Sequence, residues 1–229
     1  MKFVVIGASA AGISAAGELR RLDKDSDIIL ISRDEAVYSR CILHHYMEGI
    51  RDLKQLSFIE EDFMEKNNIE WKKGISAVGI DTKEKTVLLS TGEKVFFDKL
   101  LIATGSKTFF PPISNIDAGN IFGLHNFDDC LKIMATVKKA ENIAIMGGGL
   151  IGVDAVTGLL DTKKNLSIIE TKSHMLPLQL DEISSKNYEE AFSKNGVNQY
   201  YNLGIKAINI NEDKNIKSII LSDGRELPC

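Results

Sequence analysis

The chain carries one short pattern twice, 140 residues apart from Gly7 to Gly147. It is an apolar run, a turn of glycine and other small residues, and then a helix-forming stretch. Phe3-Val4-Val5-Ile6 leads into Gly7-Ala8-Ser9-Ala10-Ala11-Gly12, and Ile143-Ala144-Ile145-Met146 into Gly147-Gly148-Gly149-Leu150-Ile151-Gly152. A short run that is apolar at every position reads as a strand covered on both faces of a parallel sheet. The first helix spans about Ala10 to Leu22, where Ala15, Ala16 and Gly17 permit close packing; the second runs to about Leu160. A further strand closes each pattern, Ile28 to Ile31 and Leu166 to Ile169, so each is a βαβ unit. No other repeat occurs.

Composition narrows the classes. The 229 residues suit one large domain or two ordinary ones, and 44% apolar with 26% charged residues is a globular balance. With 28 basic against 32 acidic residues the net charge is −4, which gives no electrostatic case for a nucleic acid or an anionic membrane. Apolar runs are strand-sized and Met1-Lys2 passes straight into a strand, so neither a membrane span nor a signal peptide is expected. Cys41, Cys130 and Cys229 are far apart and odd in number, so no disulfide framework or metal spacing follows, and a reducing cytoplasm is the default.

Between the repeats the pattern changes. Ile75 to Ile80, Thr86 to Leu89 and Lys94 to Phe97 read as an antiparallel three-strand insertion, with Trp71 and Lys72-Lys73 on its surface. Leu100-Leu101-Ile102-Ala103 reads as another buried strand, ending in Thr104-Gly105-Ser106. A linker with Pro111-Pro112 follows, placing the boundary between domains 1–110 and 111–229. Beyond the second unit, Leu180 to Asn195 reads as a helix closed by Gly196, and short strands are expected near 197–201, 205–210 and 216–221.

A glycine turn between a buried strand and a helix aims backbone N–H groups and a helix N-terminus at a pyrophosphate. The first glycine makes the tight turn, the second admits the phosphates, and the third allows close packing. Gly147, Gly149 and Gly152 satisfy all three, with Leu150 and Ile151 opening the helix. Glu170, at the end of the next strand, is placed to accept from both ribose hydroxyls and to repel a 2′-phosphate, which favours NADH over NADPH. In the first turn Gly7 and Gly12 are matched, Ser9 holds the middle position, and Ala10-Ala11 begin the helix. The strand end reads Ser32-Arg33-Asp34-Glu35, with Asp34 chosen for the ribose contact and Glu35 as the alternative.

These turns, together with Ala103-Thr104-Gly105-Ser106, resemble the FAD-dependent pyridine nucleotide-disulfide oxidoreductases. The likeness is greatest to the branch of NADH oxidases, coenzyme A-disulfide reductases, NADH:rubredoxin reductases and the flavin part of nitrite reductases. The resemblance implies an α/β fold with two Rossmann-like domains of glutathione-reductase type. It also implies FAD at Gly7 to Gly12 with Thr104-Gly105 nearby, and NAD(H) at the second turn. The acceptor would be a small molecule or a small electron-carrier protein. Family members continue past the position of Cys229 into a Gly-Asp strand of the flavin site and a dimerisation domain, so a homodimer is expected only of a longer chain. A further departure is Asp154, where relatives usually carry Glu.

Tyr38-Ser39-Arg40-Cys41 follows the second strand. Ser39 reads as an N-cap, Ile42, Leu43, Tyr46 and Met47 as the buried side of the next helix, and Gly49 as its end. Cys41 then lies in the first turn, where the helix dipole and Arg40 favour the thiolate. The resemblance implies two roles here: a single flavin-facing cysteine in oxidase and disulfide-reductase relatives, or a basic residue near the flavin, matched by Arg40, in rubredoxin-reductase relatives. The first route passes electrons through Cys41 to a disulfide, persulfide or oxygen. The second reduces a rubredoxin-like carrier without the cysteine, and a non-catalytic nucleotide-binding module is the remaining alternative. His44 and His45, within a turn of Cys41, are acid/base candidates, and Cys130 reads as inert.

Overall fold

A computed structural model describes residues 1–229. In chain order, Lys2–Ile6 forms β1, Ala10–Leu22 α1 and Asp27–Ser32 β2. A 3₁₀ turn at Arg40–Ile42 precedes the short helix α2, Leu43–Met47, and Phe63–Lys66 is α3. Five strands follow: β3 (Ile69–Lys73), β4 (Ala77–Asp81), β5 (Thr86–Leu89), β6 (Lys94–Phe96) and β7 (Lys99–Ile102). Then come α4 (Phe127–Val137), β8 (Asn142–Met146), α5 (Leu150–Leu159), β9 (Asn165–Ile169) and α6 (Glu182–Lys194). The chain ends with β10 (Asn198–Tyr200), β11 (Ile205–Ile210), β12 (Ile216–Leu221) and β13 (Glu226–Pro228).

The chain divides into two compact units: Met1–Ser39 with Leu53–Lys107, and Arg40–Asp52 with Thr108–Cys229. The segment from Arg40 to Asp52, between β2 and β3 in sequence, groups with the second unit.

In the first unit β3, β2, β1 and β7 form an all-parallel sheet in that order. The central strands β1 and β2 are apolar over most of their length because both of their faces are covered. Val5, Ile28 and Leu30 pack with Ile13 and Ala16 of α1 on one face. Val4, Ile6, Ile29 and Ile31 pack against Val87, Leu89 and Val95 on the other. That second layer is the expected antiparallel insertion, in the order β4-β5-β6. Each such side chain taken out of water contributes roughly 1.5–3 kcal/mol.

Two expectations are corrected. Trp71 is not on the insertion: β3 pairs in parallel with β2, and the half-buried indole Nε1–H donates to Ser32 Oγ at 3.0 Å. β7 is not buried. It lies at the sheet edge, where Leu101 is 40% and Ile102 59% exposed.

The second unit repeats the plan with a smaller parallel sheet, β10-β9-β8. Ile169 packs with Ile208, Ile219 and Leu221 of the antiparallel sheet β11-β12-β13. Helix α6 begins at Asp181, whose carboxylate accepts from Ser184 N–H, and ends before Gly196 at φ +77°. Helix α2 lies against α5 so closely that a Cβ on Gly158 would stand 3.0 Å from Met47 Cβ and 3.2 Å from the His44 carbonyl oxygen.

Candidate functional site: two glycine cradles

The two turns have the same geometry. Gly7 and Gly147 adopt φ +114° and +104°, a region open to glycine, and their N–H groups donate to Ile31 O and Ile169 O, each at 2.8 Å. The last glycine of each turn is fixed by contact with the first. A Cβ on Gly12 would stand 1.8 Å from Gly7 O, and one on Gly152 1.9 Å from Gly147 O. These are collisions with backbone, which no side-chain adjustment relieves. Nothing lies within 4 Å of the Cβ direction at Gly149, the middle position, so a ligand can approach the main chain there.

The helix starts differ in how they are capped. Helix α4 is closed by a reciprocal Asn126–Asp129 capping box with Asp128 also in its first turn, and α6 by Asp181 with Glu182. Helices α1 and α5, which leave the glycine turns, have no acidic residue in the first turn and no side-chain cap from Ser9 or Gly149. Their first N–H groups and the positive ends of their dipoles are left for an anion. Ala10 and Ala11 open α1, while Leu150 and Ile151, 57% and 58% exposed, open α5.

Thr104-Gly105 is brought to the first turn. Ala103 N–H donates to Ile6 O at 2.8 Å, and a Cβ on Gly7 would stand 2.1 Å from Ala103 O and 3.3 Å from Thr104 N. Gly105 has φ +67° with open space around it.

Glu170 is 7% exposed at the end of β9. Its Oε2 accepts from Gly148 N–H at 2.7 Å, and its Oε1 from Lys172 N–H at 2.8 Å and Thr171 Oγ1 at 3.1 Å. Burial alone would raise this carboxyl; the donors from Gly148, Lys172 and Thr171 outweigh it and hold it below the usual carboxylate range. It is therefore an ionised acceptor fixed against the second turn. Above it, Leu176 N–H donates to Gly148 O at 2.7 Å, with Leu176 in the left-handed region at φ +53°.

The matching place in the first unit belongs to Ser32. Ile31 faces Ile6 as Ile169 faces Met146, so the residue after Ile31 takes the position that Glu170 holds. Ser32 is 5% exposed, and its hydroxyl donates to Asp34 O at 2.7 Å. Asp34 follows in the turn, half-buried, and Gly74 packs against Glu35. Sequence reading missed Ser32 because it searched for a carboxylate; aligning the two strand ends on their glycines was the signal available.

The region of Cys41 departs from expectation. Ser39 does not cap a helix. Arg40–Ile42 is a 3₁₀ turn, α2 starts only after Ile42, and no side chain caps it. The geometry expected to favour a thiolate is therefore not formed. Cys41 is exposed, and Arg40 donates from Nη1 to His125 O at 2.7 Å. The apolar side of α2 is as expected, with Leu43 and Met47 buried and Gly49 at φ +76°. Cys130 is buried in α4 beside Leu43 O, and burial pushes its thiol up to about 12.

Two Rossmann-type units, each with an uncapped glycine cradle, define the dinucleotide-binding class of α/β fold. The family described as pyridine nucleotide-disulphide oxidoreductase matches residues 1–229, and the chain belongs to it. The rubredoxin-NAD(+) reductase of Alcanivorax borkumensis is 28% identical over 226 residues, 98% of this chain and 59% of that protein. The NADH-rubredoxin oxidoreductase of Clostridium acetobutylicum is 31% identical over 202 residues, 88% of this chain and 52% of that protein. Among solved structures, an NAD-dependent persulfide reductase from A. fulgidus superposes with TM-score 0.91 at 28% identity, over 100% of this chain and 44% of that one. The chain thus spans about half the length of these relatives. The family and these relatives are pyridine-nucleotide oxidoreductases. No helix is long and apolar enough to cross a membrane.

Proposed function

We propose that this chain is the dinucleotide-binding part of an NADH-dependent flavoprotein reductase. FAD sits at the first cradle and NADH at the second. The observation that carries this reading is the contrast among the four longer helices: the two that leave glycine turns are uncapped and free of acid, and the other two are capped. The residues present fit the groups, since the backbone at Gly149 is open and the first cradle has Thr104-Gly105 beside it.

When bound, FAD supplies a two-electron acceptor that can release electrons singly or in pairs. The protein's part is to bind and orient. Gly7 makes the turn, Ser9, Ala10, Ala11 and Gly12 offer main-chain donors to the first pyrophosphate, and Asp34 serves its ribose. Gly147, Gly149, Leu150, Ile151 and Gly152 serve the second, where ionised Glu170 receives the ribose hydroxyls and disfavours a 2′-phosphate. Three unpaired cysteines fit a reducing cytoplasmic setting.

For the acceptor we favour a small electron-carrier protein such as a rubredoxin. The carrying observation is the uncapped 3₁₀ turn at Arg40–Ile42, which withholds the helix-terminal field from Cys41. A second reading, a small disulfide or persulfide reduced through Cys41, rests on the exposure of that thiol. The protein should show flavin absorbance that NADH bleaches. Assays with rubredoxin and with a disulfide, on wild type and Cys41→Ser, separate the acceptors. Rubredoxin reduction unchanged by the substitution supports the first reading; loss of all acceptor activity supports the second. A protein without flavin would overturn both.

A further inference from the structure

Four titratable side chains meet where α2 rests on α5. His44 Nδ1 lies 3.6 Å from Asp154 Oδ1, and the His44 and His45 rings meet edge to face at 4.3 Å between centroids. His44 Nδ1, His45 Nδ1 and Glu48 Oε1 are shut off from solvent and make no hydrogen bond. Three such atoms in one place are costly unless charge compensates them. The helices cannot separate slightly to admit water without losing the Gly158 contact with Met47 and His44.

Asp154 is the one ionisable residue of α5. From α4, Cys130 packs on Leu43 O, and the Asp129 carboxylate is engaged by the N–H groups of His125 and Asn126. From the preceding turn, Arg40 donates to His125 O and Cys41 is exposed.

We propose that His44, His45, Glu48 and Asp154 form a proton-holding clasp that seats α2, and with it the Arg40–Cys41 turn, on α5. Its basis is the 3.6 Å His44–Asp154 pair among three unbonded buried atoms. A proton held between His44 and Asp154 offsets the negative charge that Asp154 and neighbouring Glu48 would otherwise share. Burial raises the Asp154 carboxyl, the two imidazoles pull it down, and Glu48 pushes it up, with a net rise. When the proton leaves, two half-buried carboxylates face neutral imidazoles and α2 loosens. His44 and Asp154 are thus positioning residues for the turn that carries Arg40 and Cys41.

Hydrogen exchange of the purified protein tests this. The amides of Glu48 and Ile50, bonded to His44 O and His45 O, report α2 directly. Their protection, corrected for intrinsic exchange, should fall roughly ten-fold between about pH 6 and about pH 9. Amides of α6, outside the cluster, should show no such fall. In Asp154→Asn the dependence should vanish. His44→Gln gives the same test should Asp154→Asn lose the fold. Protection that is flat in wild type, or a slope that survives His44→Gln, overturns the clasp.

Discussion

Glu170 Oε2 accepts a hydrogen bond from the backbone N–H of Gly148 at 2.7 Å, so the acid expected to read the ribose also closes the turn proposed to receive the pyrophosphate. The two tasks are not separable by substitution. Glu170→Ala should cost about 2–4 kcal/mol, the range for losing bonds to a buried charge, and should also weaken NADH binding. Glu170→Gln keeps one acceptor and should cost less. Denaturant melts and the NADH-to-NADPH ratio of kcat/KM check both, and a wild-type ratio favouring NADPH would contradict the role given to Glu170.

The same residue sets a direction with pH. Its carboxyl is held below the ordinary range in the folded chain, so the stability it contributes is complete above the unfolded value of about 4.3 and is lost as pH falls through the folded value. Acid melts of wild type should converge on those of Glu170→Gln below about pH 4. A gap between them that stays constant from neutral pH into acid would show that Glu170 is not the group titrating.

The last glycine of each turn should act on one nucleotide alone. Gly12→Ala and Gly152→Ala both drive a Cβ into a carbonyl at under 2 Å. Each should cost at least about 1–3 kcal/mol by overpacking. Gly12→Ala should purify with little flavin, whereas Gly152→Ala should keep its flavin and raise KM for NADH. The same defect in both variants would mean that the cradles do not serve separate nucleotides.

Arg20 is 7% exposed, and its guanidinium donates to four carbonyls, those of Asp23, Lys24, Asn67 and Asn68, tying the end of α1 to the turn before β3. Arg20→Ala should lower stability by about 1.5–3 kcal/mol, because four part-buried carbonyls lose a charged donor. Arg20→Lys should recover less than half, since an ammonium has three donors and no planar fork. Full recovery by lysine would show that charge alone matters there.

Thiol labelling should separate the cysteines by exposure. Cys41 is exposed, whereas Cys130 is fully buried with its thiol raised to about 12. Alkylation of the native protein near neutral pH should modify Cys41 first and Cys130 only on unfolding, read by mass spectrometry of the digested chain. Equal labelling rates would contradict the packing of Cys130 against Leu43.

The sequence by itself determined the two βαβ units, the antiparallel layer and Glu170, because each is written in neighbouring residues. Glycines that tolerate positive φ, strands apolar at every position and an acid at a strand end all act over a few bonds. Their consequences are local and so legible. Only the tertiary structure decided the rest. Trp71 reads as surface until β3 is paired with β2, and Ser32 becomes the counterpart of Glu170 only when the two sheets are compared strand by strand. Ser39 has the right chemistry for a cap, yet α2 begins after Ile42, with its start fixed by packing on α4 and α5. Residues Arg40–Asp52 join the second unit through partners such as Cys130, Asp154 and Gly158, more than 80 positions on. Sequence periodicity carries no record of such distant partners; burial and close approach between helices select them.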